Sequence, residues 1–234
     1  MKIYLSPSRQ KENRYAEGET HEAEVMGRVS GKILEILHRE YGVQGILADP
    51  NLGIETSGRP KEAVKQGCQL YVALHSNAGG KGKAAGAVAF YHPKYPLSRK
   101  LAEVLVEELD RVCPVPSNRA QSVLDGMKAF QGKGYGEIRN PALAGLVPVL
   151  AETNFHDHPE VAHWMRTKTE EVAQAYVAAL AKVLELKKRD SSKSGPELYR
   201  VQVGAFSQRK NAEALRDQLK EKGYPAFITR KEEA

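Results

Sequence analysis

Two residues of this 234-residue chain carry an imidazole and a carboxylate at the ends of apolar runs: His75 in Val72-Ala-Leu-His-Ser-Asn-Ala and Glu152 in Val149-Leu-Ala-Glu-Thr-Asn-Phe. Short apolar runs bounded by small and polar residues predict buried strands. Strand ends that point an imidazole and a carboxylate into one crevice can build a hydrolytic site. Each residue also has a plain structural use. A histidine at a strand end commonly closes loop hydrogen bonds, and a glutamate there accepts backbone amides or pairs with an arginine, for which Arg139 is at hand. The pair becomes chemical only if the fold brings both ends to one place.

The rest of the pattern predicts such a fold. Residues 2–5 form a first apolar strand that breaks at Ser6-Pro-Ser, and a polar loop follows over 10–20. From 22 to 41, Val25, Val29, Ile33, Ile36 and Leu37 recur at helical spacing, with Thr20 or His21 near the cap and Gly42 as the stop. Strands are expected at 45–48, 70–75, 86–91 and 147–152, with helices at 60–67, 97–112 and 169–186. Strands alternating with helices of this length predict an α/β fold, a largely parallel (mixed) sheet flanked by helices. Sites in that class sit at the carboxyl ends of strands.

Composition bounds the function. With 41% apolar and 27% charged residues the chain is an ordinary globular one, large enough for a medium domain plus a small appendage. The net charge of +6 suits an anionic partner or simply a lysine-rich surface; no nucleic-acid motif accompanies it. With only Cys68 and Cys113, any metal must rely on histidines and carboxylates. Neither a signal peptide nor a transmembrane run is visible, so a substrate beyond the membrane implies release by lysis or non-classical export. Residues 187–197 are charged and aperiodic, as in a linker. Beyond them, 198–234 read as a strand, a helix with Ala212, Leu215 and Leu219 on one face, and a second strand.

The two chemical motifs, with the opening strand and the Glu at the start of the first long helix, resemble the zinc-dependent N-acetylmuramoyl-L-alanine amidases of the amidase-3 family. The resemblance spans residues 2–186. It implies hydrolysis, by zinc-activated water, of the amide between N-acetylmuramic acid and L-alanine in peptidoglycan. In that pattern Glu22 and His75 bind zinc and Glu152 is the catalytic carboxylate. Without the resemblance, a carboxylate in a first helical turn needs no metal, because the helix dipole favours it.

The chain departs from the family at one point. The family's first strand ends in a Gly-His-Gly-Gly loop whose histidine is a zinc ligand, whereas Ser6-Pro-Ser-Arg-Gln stands here. Catalytic zinc normally takes three protein ligands plus water. His156 in Phe155-His-Asp-His is the preferred replacement, with Asp157 orienting it; His21, His158 and the Gln10 amide are further candidates. Gln10, Asn77 and Arg139 are candidate substrate-binding groups. A non-catalytic cell-wall binding protein with a degenerate site is the alternative reading.

The tail resembles a SPOR domain through Leu198-Tyr-Arg-Val-Gln-Val-Gly-Ala-Phe, Asn211-Ala-Glu-Ala-Leu and Lys222-Gly-Tyr-Pro-Ala-Phe. It covers the first β-α-β half of that fold, so an incomplete SPOR unit at 198–234 is expected beside an amidase domain at 1–186. The resemblance implies binding to peptidoglycan glycan strands.

Overall fold

The computed structural model describes residues 1–189, 203–223 and 228. Contacts divide the chain into two units, residues 1–189 and 190–234. In the first unit the apolar runs become strands β1 (Ile3–Pro7), β2 (Gly45–Leu47), β3 (Leu70–Asn77), β4 (Val88–Tyr91), β5 (Val123–Asp125) and β6 (Val147–Phe155). They form one sheet in the order β2-β1-β3-β6-β4-β5. Pairing is parallel except at β4, which runs antiparallel to β6. The expected mixed α/β sheet is therefore present, and its two central strands are the ones that carry His75 and Glu152.

Helices cover both faces. On one, α1 (Glu22–Ile36), α3 (Pro96–Val112), α6 (Pro159–Thr167) and α7 (Thr169–Val183) pack on Ile3, Leu5, Val72, Leu74, Val149 and Ala151. On the other, α2 (Arg59–Lys65) and α5 (Gly136–Leu143) cover Tyr4, Tyr71, Ala73, Val88, Phe90 and Leu150. A short helical turn, α4 (Ala129–Gly132), lies between β5 and α5. Side chains alternate across a strand, so His75, two residues past Ala73, and Glu152, two past Leu150, emerge on the second face.

The first long helix ends as its sequence predicts. Leu37–Tyr41 widens into a π-helical turn, and Gly42 at φ 68° takes the left-handed conformation that a side chain disfavours. The sequence reading assigned no elements to residues 123–125, 136–143 and 159–167, which form β5, α5 and α6. Each is short, and α5 contains Pro141, so none offers the periodic window from which longer elements are read.

In the second unit, α8 (Arg209–Glu221) occupies the expected helix position. The strands expected at 199–204 and 223–229 lie largely outside the described residues. No helix among the described residues is long and apolar enough to cross a membrane.

Candidate active site

His75 and Glu152 are direct partners in the parallel register of β3 and β6. The backbone ladder thus sets an imidazole beside a carboxylate at the carboxyl ends of the two central strands, where an open α/β sheet places its ligands. A register shift follows immediately, between His75 and Asn77, and loosens the strands into the loops that rim the site.

Glu22 reaches this point from the start of α1. The loop between β1 and α1 folds onto the helix: Glu22 N donates to the Asn13 carbonyl at 2.9 Å and Ala23 N to the Gln10 carbonyl at 3.3 Å. His21 caps the helix by accepting from Glu24 N. These bonds satisfy N–H groups that the first helical turn leaves unpaired. They also pin Gln10 and Asn13 against Glu22.

Glu22 is fully buried. Its Oε1 lies 3.0 Å from His75 Nδ1 and accepts from Ser76 N at 3.2 Å, while Oε2 accepts from Asn13 Nδ2 at 2.6 Å. Burial alone would raise its pKa, but His75 and the hydrogen bonds from Asn13 and Ser8 outweigh that and hold the carboxyl below its ordinary value. Burial likewise opposes a charge on His75. Glu137, Glu22 and Glu152 prevail, and its pKa rises to about 10. Glu152 moves opposite to Glu22: burial raises it to about 7, with His75 lowering and Glu22 raising it. Its Oε2 is buried without a hydrogen-bond partner, as is His75 Nε2.

The remaining sequence candidates divide between site and scaffold. The Gln10 side-chain nitrogen lies 3.4 Å from His75 Nδ1, and its Oε1 accepts from Asn13 Nδ2 at 2.9 Å. Asn77 follows at the rim, its Oδ1 accepting from Ala78 N. His156 is buried and stands elsewhere: Nδ1 is 2.9 Å from Ser76 Oγ, and the ring stacks on Tyr15 at 5.2 Å. Asp157 turns to Gly79, whose N–H it accepts at 3.0 Å. His158 caps α6 by accepting from Val161 N. Arg139 donates to Asn140 Oδ1 and to the Lys133 carbonyl rather than to Glu152. The sequence reading passed over Asn13 and Glu137, which sit among these groups. Neither carried a signal: Asn13 lies within the polar loop expected over 10–20, and Glu137 in a stretch to which no element was assigned.

The fit to zinc can be judged on these atoms. Among the described residues, no three His, Cys, Asp or Glu side chains form a metal-holding group. Two do face one point, Glu22 Oε1 and His75 Nδ1, at a separation a few tenths of an ångström under the roughly 3.3 Å edge of a tetrahedral zinc site. Gln10 presents its amide nitrogen to the same imidazole nitrogen, its oxygen accepting from Asn13. Glu22 and His75 would hold two of the three protein positions of a hydrolytic zinc, and Gln10 would supply the third only with its amide turned so that the oxygen faces the imidazole.

Comparison with known proteins agrees with this architecture. Residues 3–182 match the N-acetylmuramoyl-L-alanine amidase family and residues 195–234 the SPOR domain. The chain is 23% identical over 237 residues to the sporulation-specific N-acetylmuramoyl-L-alanine amidase of Bacillus subtilis (strain 168), covering 99% of this chain and 86% of that protein. Its fold superposes on the catalytic domain of CwlV, an amidase from Bacillus (Paenibacillus) polymyxa var. colistinus, with a TM-score of 0.64 at 16% identity, covering 80% of this chain and 100% of that one. AmiC2 of Nostoc punctiforme gives a TM-score of 0.64 at 18% identity over 79% of this chain and 97% of that one. The chain belongs to the N-acetylmuramoyl-L-alanine amidase family and is an enzyme that hydrolyses the amide bond between N-acetylmuramic acid and L-alanine in peptidoglycan.

Proposed function

We propose that this hydrolysis is zinc-dependent and runs at the carboxyl ends of β3 and β6, with Glu22 and His75 as metal ligands, Gln10 in place of the family's first histidine, and Glu152 as the acid-base group. The observation that carries the reading is the 3.0 Å approach of Glu22 Oε1 to His75 Nδ1 beside the unpartnered, buried Glu152 Oε2. His156, the sequence-based preference for the third ligand, directs Nδ1 to Ser76. Gln10 is the group at the imidazole, held there by Asn13.

Bound zinc supplies the positive charge that makes water acidic and steadies the oxyanion of the attacked carbonyl. The protein's own groups do the rest. Asn13 and Ser76 N keep Glu22 ionised and in place. A carboxyl whose pKa burial lifts to about 7 exchanges protons readily at neutral pH. Glu152 takes a proton from the attacking water and returns it to the departing amine of L-alanine. Asn77 at the rim hydrogen-bonds glycan or stem peptide, and Arg139, at the end of the α5 first turn, is a second such group. Residues 195–234 hold the enzyme to glycan strands.

Elemental analysis of the native protein, together with an assay for new L-alanine amino groups released from muropeptides, tests the reading. About one zinc per chain and hydrolysis that stops on chelation and returns with zinc are expected; full hydrolysis by the metal-free protein would overturn it.

A further inference from the structure

The far edge of the His75 ring faces a carboxylate that the steps above do not use. Glu137, in the first turn of α5, is buried, and both its oxygens are held from the sheet. Ser6 Oγ donates to Oε1 at 3.0 Å and Tyr71 Oη to Oε2 at 2.5 Å. Ser6 is fixed in turn by the buried Arg59, whose guanidinium donates to Ser6 Oγ at 2.8 Å and to the Pro7 carbonyl at 2.7 Å. Burying a carboxylate and a guanidinium strips both of hydration, and apolar side chains of the same volume often stabilise a core at least as well. The network ends at the ring: Glu137 Oε1 stands 3.7 Å from His75 Nε2, which is buried without a hydrogen-bond partner.

We infer that Glu137 is a positioning residue that receives the His75 Nε2 proton in a hydrogen bond and thereby reserves Nδ1 for the metal. The inference rests on the zinc reading proposed above. A ligating imidazole offers the lone pair of one nitrogen and keeps its proton on the other, and the acceptor at the second nitrogen fixes which is which. On its Nδ1 side His75 faces Glu22 Oε1 at 3.0 Å, which alone would draw the proton to Nδ1 and close that lone pair. Glu137 supplies the opposing pull. Its gap exceeds a hydrogen bond by about half an ångström, and a small tilt of the ring closes it.

Glu137→Gln keeps the shape and reverses the chemistry. Tyr71 donates to the Oε2 position at 2.5 Å, so the amide oxygen takes that place and the amide nitrogen takes the Oε1 position as a donor facing Nε2, with Ser6 Oγ turned to accept from it. The proton then moves to Nδ1. The test combines zinc affinity, measured by chelator competition, with long-range nitrogen-15 spectra of the His75 ring in the zinc-loaded wild type. Expected are ligation through Nδ1 with Nε2 protonated, a roughly 10- to 100-fold loss of zinc affinity in Glu137→Gln, and partial recovery in Glu137→Asp. Ligation through Nε2, or affinity in Glu137→Gln within about twofold of wild type, overturns the role of Glu137 and leaves the zinc reading standing. A wild type that binds no zinc overturns both. If Glu137→Gln does not fold, the wild-type ring spectrum and Glu137→Asp decide the matter.

Discussion

Asn13 Nδ2 lies 2.6 Å from Glu22 Oε2, and the same amide donates to Gln10 Oε1 at 2.9 Å. One loop side chain therefore orients both the carboxylate and the amide that face His75. Asn13→Ala leaves the sheet intact, because Glu22 N bonds the Asn13 backbone carbonyl rather than its side chain. It is expected to weaken zinc binding about 10- to 100-fold. Chelator competition measures this, and a change under about twofold would show that Asn13 does not support the proposed zinc site.

Gln10 gives a gain-of-function test. An imidazole is a stronger zinc ligand than an amide, so Gln10→His is expected to tighten zinc binding, whereas Gln10→Ala loosens it. Titration calorimetry on both proteins reads the two signs, and equal affinities would remove Gln10 from the coordination sphere.

Removal of the proposed acid-base group is expected to be more severe in rate than in binding. Glu152→Gln should lower muropeptide hydrolysis by about 10²- to 10⁴-fold while zinc stoichiometry stays at the wild-type value. Residual hydrolysis within tenfold of wild type would assign proton transfer to another residue.

The same substitution has a pH signature in the metal-free protein. Folding raises the Glu152 pKa from 4.5 to about 7, so the native state binds more protons than the unfolded chain in that window. The neutral carboxyl carries no penalty below about pH 4.5; stability falls as pH rises from there to about 7, and above it the loss is constant at about 3 kcal/mol. Glu152→Gln is therefore expected to raise the urea midpoint at about pH 8 and to change it little near pH 4.5. An equal effect at both pH values would mean that burial does not perturb this carboxyl.

His156→Ala separates scaffold from ligand. Losing the bond to Ser76 and the stack on Tyr15 is expected to cost about 1–3 kcal/mol of stability with zinc content unchanged. Thermal melts and elemental analysis read both quantities. Loss of zinc from a still-folded variant would restore His156 to the ligand set.

The sequence showed the strand-borne part of the site more clearly than the rest. His75 and Glu152 end apolar runs, and Glu22 opens a long amphipathic helix. The loop-borne part was obscure, because Gln10 and Asn13 take their places through backbone bonds to the start of α1 that no periodicity encodes. Glu137 hid in a short helix interrupted by Pro141. The histidines looked alike as letters; His21 and His158 prove to be helix caps, a use that depends on a backbone geometry visible only once folded.

The parallel register that pairs His75 with Glu152 makes their spacing a property of the hydrogen-bond ladder, resistant to change at the surface. Sliding one strand by a single residue would turn its reactive group to the opposite face, so evolution or a designer can adjust this half of the centre only by rebuilding the sheet. The Ser8–Asn13 segment is held instead by backbone bonds to Leu74 and to the start of α1, which fix the main chain and leave the side chains free to differ; the departure from the family's histidine stands in that segment.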